Sequence, residues 1–291
     1  MQYRAIFFDA PQDGKPAAAG RDSAALHSWV QHRVGCYVAA LRGHLPNITE
    51  GGSLASILEH CTYCGASLSR VGLDFRGLLA PVLELVTLQL FGSYLAVAVD
   101  AFAARLEAHK WVAMPTPMFK QQQQQRQSLS GGGGGEGEGE PADGGGHKSG
   151  GGGGGGGGDG APPYVLMEHL PLAVFTNGVL SGFNEVRHCA LLPLRRPMAA
   201  LLQAALERAA GALAHYRAAR PLGGGELALF EAAARAHGEV VVPYLSACFA
   251  RLFAGAAGGG GGGGAGGGGV DAGAVSAILR EALDDGGAAP V

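Results

Sequence analysis

The chain has 291 residues, of which 52 are glycine and only 15% are charged, against about 25% in an average soluble domain. Twenty glycines lie within residues 131–160 and twelve within residues 255–269, and neither tract repeats Gly-X-Y with proline, which excludes collagen. The net charge is −3, and because the first tract alone contributes −4, the rest is nearly neutral and has no electrostatic attraction for nucleic acid or anionic lipid.

The first apolar stripe of helical period follows Asp22 or Ser23 as a cap and ends before Pro46. Its members are Leu26, Trp29, Val30, Val34, Tyr37, Val38, Leu41 and Leu45. Because Trp29 belongs to this stripe, we expect its side chain to be buried in the core. Its truncation to alanine is then expected to cost on the order of 3–5 kcal/mol.

A second predicted helix begins at Ser53 and stops at Gly72, and Asp74 caps a third, which runs from residue 75 to about residue 109. Pro81 near its start predicts a kink. Residues 78–99 are apolar enough to span a bilayer. They include Glu84, however, and a carboxylate inside a membrane is costly, so we interpret this stretch as a buried core helix.

After Pro171 the helical period returns in residues 172–186, 198–216, 226–252 and 275–283, and a kink is predicted at Pro243. Residues 3–8 could form a short strand, but no βαβ repeat follows. The pattern therefore predicts an all-α protein built from antiparallel helices.

Composition divides the chain into helical blocks and flexible connections. Residues 1–119 form a first helical block, and residues 120–162 a flexible linker rich in Gln and Gly. Residues 163–254 form a second helical block, residues 255–270 a Gly-rich linker, and residues 271–291 a short helix and tail. Both Gly-rich insertions are expected to be disordered, because they hold almost no apolar side chains to offset ordering entropy.

One segment suggests an enzyme. Residues 3–9 form an apolar run that ends in Asp9, and they resemble the nucleophile strand of haloacid-dehalogenase-type phosphatases. That chemistry needs a second carboxylate two residues later as the acid/base, and Pro11 occupies the position. We therefore expect no catalytic residue, and keep a phosphatase using Asp9 as the weaker alternative.

Metal and cofactor sites are also not expected. Cys61 and Cys64 have the spacing of a zinc or redox pair but lie within a predicted helix, where cysteines more often fill an apolar face. His27 and His32 are five residues apart and do not share a helix face. Residues 144–149 match a phosphate loop poorly, because His147 replaces the glycine before the lysine.

The most distinctive stretch is residues 65–81, GASLSRVGLDFRGLLAP. It resembles the signature of a family, the eighth subunit of the conserved oligomeric Golgi complex, which is a vesicle-tethering assembly. Further segments resemble the same family in the same order: YRAIF and LHSWV before the signature, and LPLAVFTN, FNEVR and VPYL after it. In that family the YRAIF segment lies mid-chain, so we expect the sequence to be its C-terminal portion, as a fragment or a truncated gene model.

The resemblance implies a rod of helical bundles of the type found in multisubunit tethers. It implies a non-catalytic subunit that is peripherally attached to the cytosolic face of Golgi membranes and acts in retrograde transport within the Golgi. The eighth subunit is expected to link the two lobes of the complex together with the first subunit. Expected partners are the other subunits and, beyond them, membrane-fusion proteins and small GTPases of the Golgi, with no cofactor. A generic helical scaffold elsewhere in the cell is the remaining alternative.

The signature residues are expected to act in structure or in partner contacts. Gly72 would end one helix, Asp74 would cap the next, and Gly77 would allow close packing at the turn. For Arg70 and Arg76 we favour a structural role over a partner contact. The full set is Ser67, Ser69, Arg70, Gly72, Asp74, Phe75, Arg76, Gly77, Pro81, Phe175, Asn177, Asn184 and Arg187.

Overall fold

A computed structural model describes residues 19–70, 72–112, 162–254 and 269–284, and within them it contains helices and no strand. The helices are α1 Ala19–His44, α2 Gly51–Ser69, α3 Arg76–Glu107, α4 Leu170–Val186, α5 Arg195–Ala219, α6 Gly224–Ala236, α7 Val242–Leu252 and α8 Ala272–Asp284. The all-α prediction is confirmed. The strand predicted over residues 3–8 and nearly all of the linker predicted over residues 120–162 lie outside the described residues.

Helices α3 and α4 form the centre of the core. Phe102 packs on Phe175 with ring centroids 5.6 Å apart. The contact continues along both helices, where Gly178 lies against Ala98 and Gly182 lies against Tyr94. Positions rise along α4 as they fall along α3, so the two helices are antiparallel. Glycine at these positions lets their backbones approach closely.

Helix α3 contains residues 78–99, the stretch that is apolar enough in sequence to span a bilayer. By length and composition it could cross a bilayer, but half of its most apolar window is buried inside the structure. Its buried side chains contact α4 and α5, as those of a core helix do. The structure supports the interpretation of residues 78–99 as core. The buried apolar residues are Leu79, Val82, Leu83, Val86, Leu90, Phe91, Leu95, Ala98, Val99, Phe102 and Leu106.

The two predicted helical blocks share this core, because α3 of the first contacts α4 and α5 of the second. The exact block boundaries remain predictions. In the second block, α6 continues into α7 through a π-helical turn, His237–Val241. The turn comes directly before Pro243, which lacks the N–H of a regular helix and whose ring crowds the carbonyl four residues earlier. A wider turn therefore precedes Pro243, and the kink predicted there stays a prediction.

Helix α8 is attached to the bundle through α5. Val275 and Leu279 are buried, and Asp271 caps the helix by accepting hydrogen bonds from the backbone N–H groups of Gly273 and Ala274 at 2.8 and 3.2 Å. The backbone N–H of Asp271 donates to Gln203 Oε1 of α5 at 2.7 Å. The last helix is thus held by both apolar and polar contacts.

Helix α1 differs from its prediction in two respects. It already includes Asp22 and Ser23, so neither residue is its cap. Trp29 is 58% exposed, and the prediction that it lies in the core was wrong. Of the predicted stripe only Val38 and Leu45 are fully buried, because this segment reaches the core through its C-terminal half. Tyr37 meets Phe75, the residue before α3 begins, so the turns of α1 that precede Tyr37 extend past that end of α3.

Candidate interaction surface

The signature stretch forms the turn between α2 and α3. Gly72 has φ +85°, a left-handed conformation that favours glycine. Its N–H donates to the carbonyl of Ser69 at 3.0 Å, and the N–H of Leu73 donates to the carbonyl of Leu68 at 3.1 Å. These two bonds are the Schellman pattern that closes a helix. Gly72 therefore ends α2, as predicted.

Asp74 and Arg76 begin the next helix. The Asp74 Oδ1 atom accepts the backbone N–H of Arg76 at 3.0 Å, so the predicted cap is confirmed. The guanidinium of Arg76 also forms a salt bridge with this carboxylate, with Nη2 2.6 Å from Oδ2. Hydrogen bonds from the side chain and backbone of Arg76 hold the pKa of Asp74 at about 2, below its usual range.

Arg76 also covers a glycine of the preceding helix. A Cβ atom on Gly65 would lie 2.5 Å from Cγ of Arg76, so the arginine stem rests directly on the bare backbone of α2. The side chain of Arg70 is exposed and forms no hydrogen bond or salt bridge with the described residues. These contacts favour the structural interpretation for Arg76 and leave Arg70 free to contact a partner.

Gly77 does not have the predicted role. A Cβ atom at this position would meet no atom within 4 Å, so the prediction of close packing there was wrong. The close approach occurs instead at Gly51, at the opposite end of α2, where a side chain would collide with the backbone of Glu185. The Gly51 N–H donates to Glu185 Oε2 at 2.6 Å, which ties α2 to α4. Nothing in the order of glycines along the chain distinguishes these positions.

Phe75 links the turn to α1. Its buried ring packs on Tyr37 in a T-shaped arrangement with ring centroids 5.8 Å apart, and the hydroxyl of Tyr37 lies 2.9 Å from the sulfur of Cys61. Burial and this hydrogen bond raise the pKa of Tyr37 to about 12. Cys61 is buried, as expected of a core cysteine, but Cys64 is exposed and does not fill the same face. The two thiols therefore have different environments within one helix.

The second group of signature residues lies on α4. Phe175 is in the core, whereas Asn177 and Asn184 are exposed and, being two helical turns apart, share one face. Arg187 is also exposed, and its Nε donates to His188 at 2.9 Å. Of the remaining members, Ser67, Pro81 and Gly77 are exposed, and Ser69 donates to the carbonyl of Ala66.

The structure does not gather the signature residues into one site. Gly51 contacts Glu185 of α4, and Gly65 contacts Arg76 of the turn, so α2 separates the two groups by roughly 21 Å. An open groove of about 760 Å³ lies between them on the outer face of α2. It is lined by Gly52, Ala55, Ser56, Leu58, Glu59, Thr62, Tyr63, Ala66 and His188.

Potential metal ligands are scattered over the described residues. Within those four ranges, no three His, Cys, Asp or Glu side chains come together to hold a metal ion. The Nε2 atom of His32 lies 3.6 Å from the sulfur of Cys36, and among the described residues His32 and His27 belong to no metal-binding cluster. Asp9 and the phosphate-loop lookalike at residues 144–149 lie outside the described part of the chain.

The exposed apolar residues of α1 were missed by sequence reasoning. Trp29, one turn from Leu26 and adjacent to Val30, fits the same helical stripe as the buried Val38. Helical spacing identifies the face of a helix but not whether a neighbour covers it. The exposure of Trp29 therefore became visible only with the arrangement of α1 on the bundle.

Comparison with known proteins identifies the chain's relatives. Residues 1–100 match the Dor1-like family. The Homo sapiens protein named conserved oligomeric Golgi complex subunit 8 is 32% identical over 87% of this chain and 38% of its own length. The Bos taurus protein of the same name is 31% identical over 87% of this chain and 37% of its own length. The Dictyostelium discoideum protein of that name is 36% identical over 67% of this chain and 22% of its own length. No solved structure matches significantly.

These relatives support the resemblance carried by the signature, and they give no support to the phosphatase alternative. The chain spans little more than a third of the mammalian relatives it matches. Over that span it belongs to the family of conserved oligomeric Golgi complex subunit 8.

Proposed function

We propose that the chain acts as a non-catalytic part of the Golgi vesicle-tethering complex. In this role it links other subunits and supports retrograde transport between Golgi cisternae. The observation that carries the proposal is the similarity to subunit 8 proteins over 87% of the chain. A bundle with exposed signature side chains on α4, and Arg70 at the α2–α3 turn, suits a protein that binds other proteins.

The proposal includes a location and a set of partners. The chain would sit peripherally on the cytosolic face of Golgi membranes, held there by the other subunits of the complex. Membrane-fusion proteins and small GTPases of the Golgi would be secondary partners. The near-neutral net charge outside the first glycine tract supports attachment through proteins, because it gives little overall attraction to anionic lipid.

The experiment is affinity purification from cells that lack their own subunit 8. The tagged chain and a tagged full-length subunit 8 are expressed in parallel, and the other subunits are quantified by mass spectrometry. We expect both proteins to recover subunits of the Golgi complex above the level of a tagged helical protein of similar size. Failure of the chain alone would contradict the proposal for this portion of the protein. Recovery of a different assembly would favour the generic scaffold.

A further inference from the structure

The N-terminal half of α1 presents an apolar surface that does not pack on the core of the described residues. We call Leu26, Trp29 and Val30, with Arg33 beside them, the α1 surface. The three apolar residues have i, i+3, i+4 spacing and so lie on one face of the helix. None of them packs on the core, and Trp29 is 58% exposed.

The α1 surface continues an established packing surface. Val34, Val38 and Leu41 follow at the same helical spacing and do contact the core. The helix is uninterrupted from Ala19 to His44, so the packed half holds the unpacked half rigidly. A helix presented in this way needs little ordering when a partner binds, which favours affinity. An exposed tryptophan is also the residue type most often found at the energetic centre of an interface.

Charge distinguishes between two kinds of occupant. Residues 24–44 contain Arg33 and Arg42, three histidines, and no Asp or Glu. Arg33 is exposed and lies one turn from Trp29, on the same side of the helix. A second copy that presented residues 24–44 would bring another Arg33 and no carboxylate to the contact, so neither arginine would gain a partner. A helix with acidic residues flanking its apolar face would pair with Arg33.

We propose that the α1 surface docks an amphipathic helix of a partner protein, whose apolar stripe covers Trp29 and whose Asp or Glu residues face Arg33. Leu26 and Val30 would supply the rest of the apolar contact. This inference rests on the proposed function for the source of the helix, which would be another subunit of the same complex. The docking chemistry itself is independent of that source.

The test uses two synthetic helical peptides with leucine at positions a and d, one with glutamate and the other with lysine at positions e and g. Binding of each labelled peptide to the whole chain is measured by fluorescence anisotropy. We expect the glutamate peptide to bind roughly tenfold more tightly than the lysine peptide. It should also shift the emission of Trp29 to shorter wavelength, whereas Trp111 is buried already.

Variants locate the binding site. Trp29→Ala should abolish binding of the glutamate peptide, and Arg33→Glu should reverse the preference between the peptides. Tyr164→Ala removes an aromatic ring of similar exposure, 49% against 58% for Trp29, which belongs neither to α1 nor to the groove on α2, and it should leave binding unchanged. Equal affinity for both peptides, or binding that survives Trp29→Ala, would overturn the proposal.

Two further outcomes would assign the surface to another occupant and so overturn the proposal. Short-wavelength emission of Trp29 in the chain alone, independent of concentration, would mean that the chain itself covers the surface. A shift of Trp29 emission to longer wavelength on dilution would mean that a second copy of the chain covers the surface. The proposed function is judged separately: if Trp29→Ala still recovers the Golgi subunits from cells, that function stands and this docking site does not.

Discussion

His237 is a fully buried histidine on the π-helical turn, and its position makes stability depend on pH. Its Nε2–H donates to the carbonyl of Leu206 at 3.2 Å, while Nδ1 has no partner among the described residues. Burial lowers its pKa from 6.5 to about 4. The folded protein therefore keeps this imidazole neutral between about pH 6.5 and pH 4, where the unfolded chain protonates it.

Because the unfolded state binds more protons in that window, the free energy of unfolding should fall as the pH falls. The His237 contribution between about pH 7.5 and pH 5 is about 2 kcal/mol. Urea unfolding of His237→Gln at both pH values is the measurement, and this variant should lose most of the difference. Burial lowers the pKa of His109 and His169 as well, so a smaller dependence of the same sign should remain. The same dependence in His237→Gln as in the wild type would contradict the argument, and the exposed His215→Gln is the matched control.

The two tryptophans show that helical spacing in the sequence does not determine whether a side chain is buried. Trp111 donates its Nε1–H to Tyr216 at 3.1 Å and packs edge-on against Phe230, and it is buried. Trp29 has a clearer apolar helical pattern around it in the sequence, yet it is exposed. Trp111 follows the last turn of α3, where no periodicity marks it, and only the return of α5 and α6 encloses it. Burial at a helix end depends on the neighbouring elements, and sequence spacing does not contain that information.

At the scale of elements, the α3–α4 contact depends on two glycines. A Cβ atom on Gly178 would lie 2.7 Å from the Cβ of Ala98, and one on Gly182 would lie 3.1 Å from the Cβ of Tyr94. Gly178→Val should therefore force the helices apart and lower the free energy of unfolding by about 1–3 kcal/mol. Gly182→Val should do the same, and thermal unfolding followed by circular dichroism measures both.

Gly211→Ala provides the control within the same bundle. Gly211 lies inside α5 with no atom within 4 Å of an added Cβ, so alanine should raise stability by about 0.5–1 kcal/mol through its better helix propensity. If the Gly178 and Gly182 variants behaved like this one, the backbones of α3 and α4 would not be in close contact.

The helices and the ends of the signature turn were predictable because their causes are local. Gly72 and Asp74 act through hydrogen bonds within a few residues, and the structure contains both as expected. The prediction of close packing at Gly77 was wrong, and the close contact at Gly51 was not predicted. Both depend on which helix lies opposite, and the sequence does not give that. Which signature residues contact a partner stays a prediction, and their division between the two ends of α2 could not be predicted from the sequence. That division follows from the fold, which brings Glu185 to Gly51.

For the whole molecule, the long connection between α3 and α4 joins points that lie close together. The helices are antiparallel, and the imidazole of His109, just after α3, is near enough to His169, just before α4, to lower its pKa further. Joining these points needs far fewer residues than the sequence provides between 112 and 162. The free energy of closing a loop varies only slowly with loop length.

Deletion of residues 131–160 should therefore change the free energy of unfolding by less than about 1 kcal/mol, with a small gain favoured because the closed loop is shorter. Urea unfolding at neutral pH measures the change. A variant that keeps the length but scrambles the order of these residues is the matched control, and it should be indistinguishable from the wild type. A loss of several kcal/mol on deletion, together with a loss on scrambling, would mean that the tract makes specific contacts with the bundle. A loss on deletion alone would mean that the remaining residues are too few to join α3 to α4 without strain.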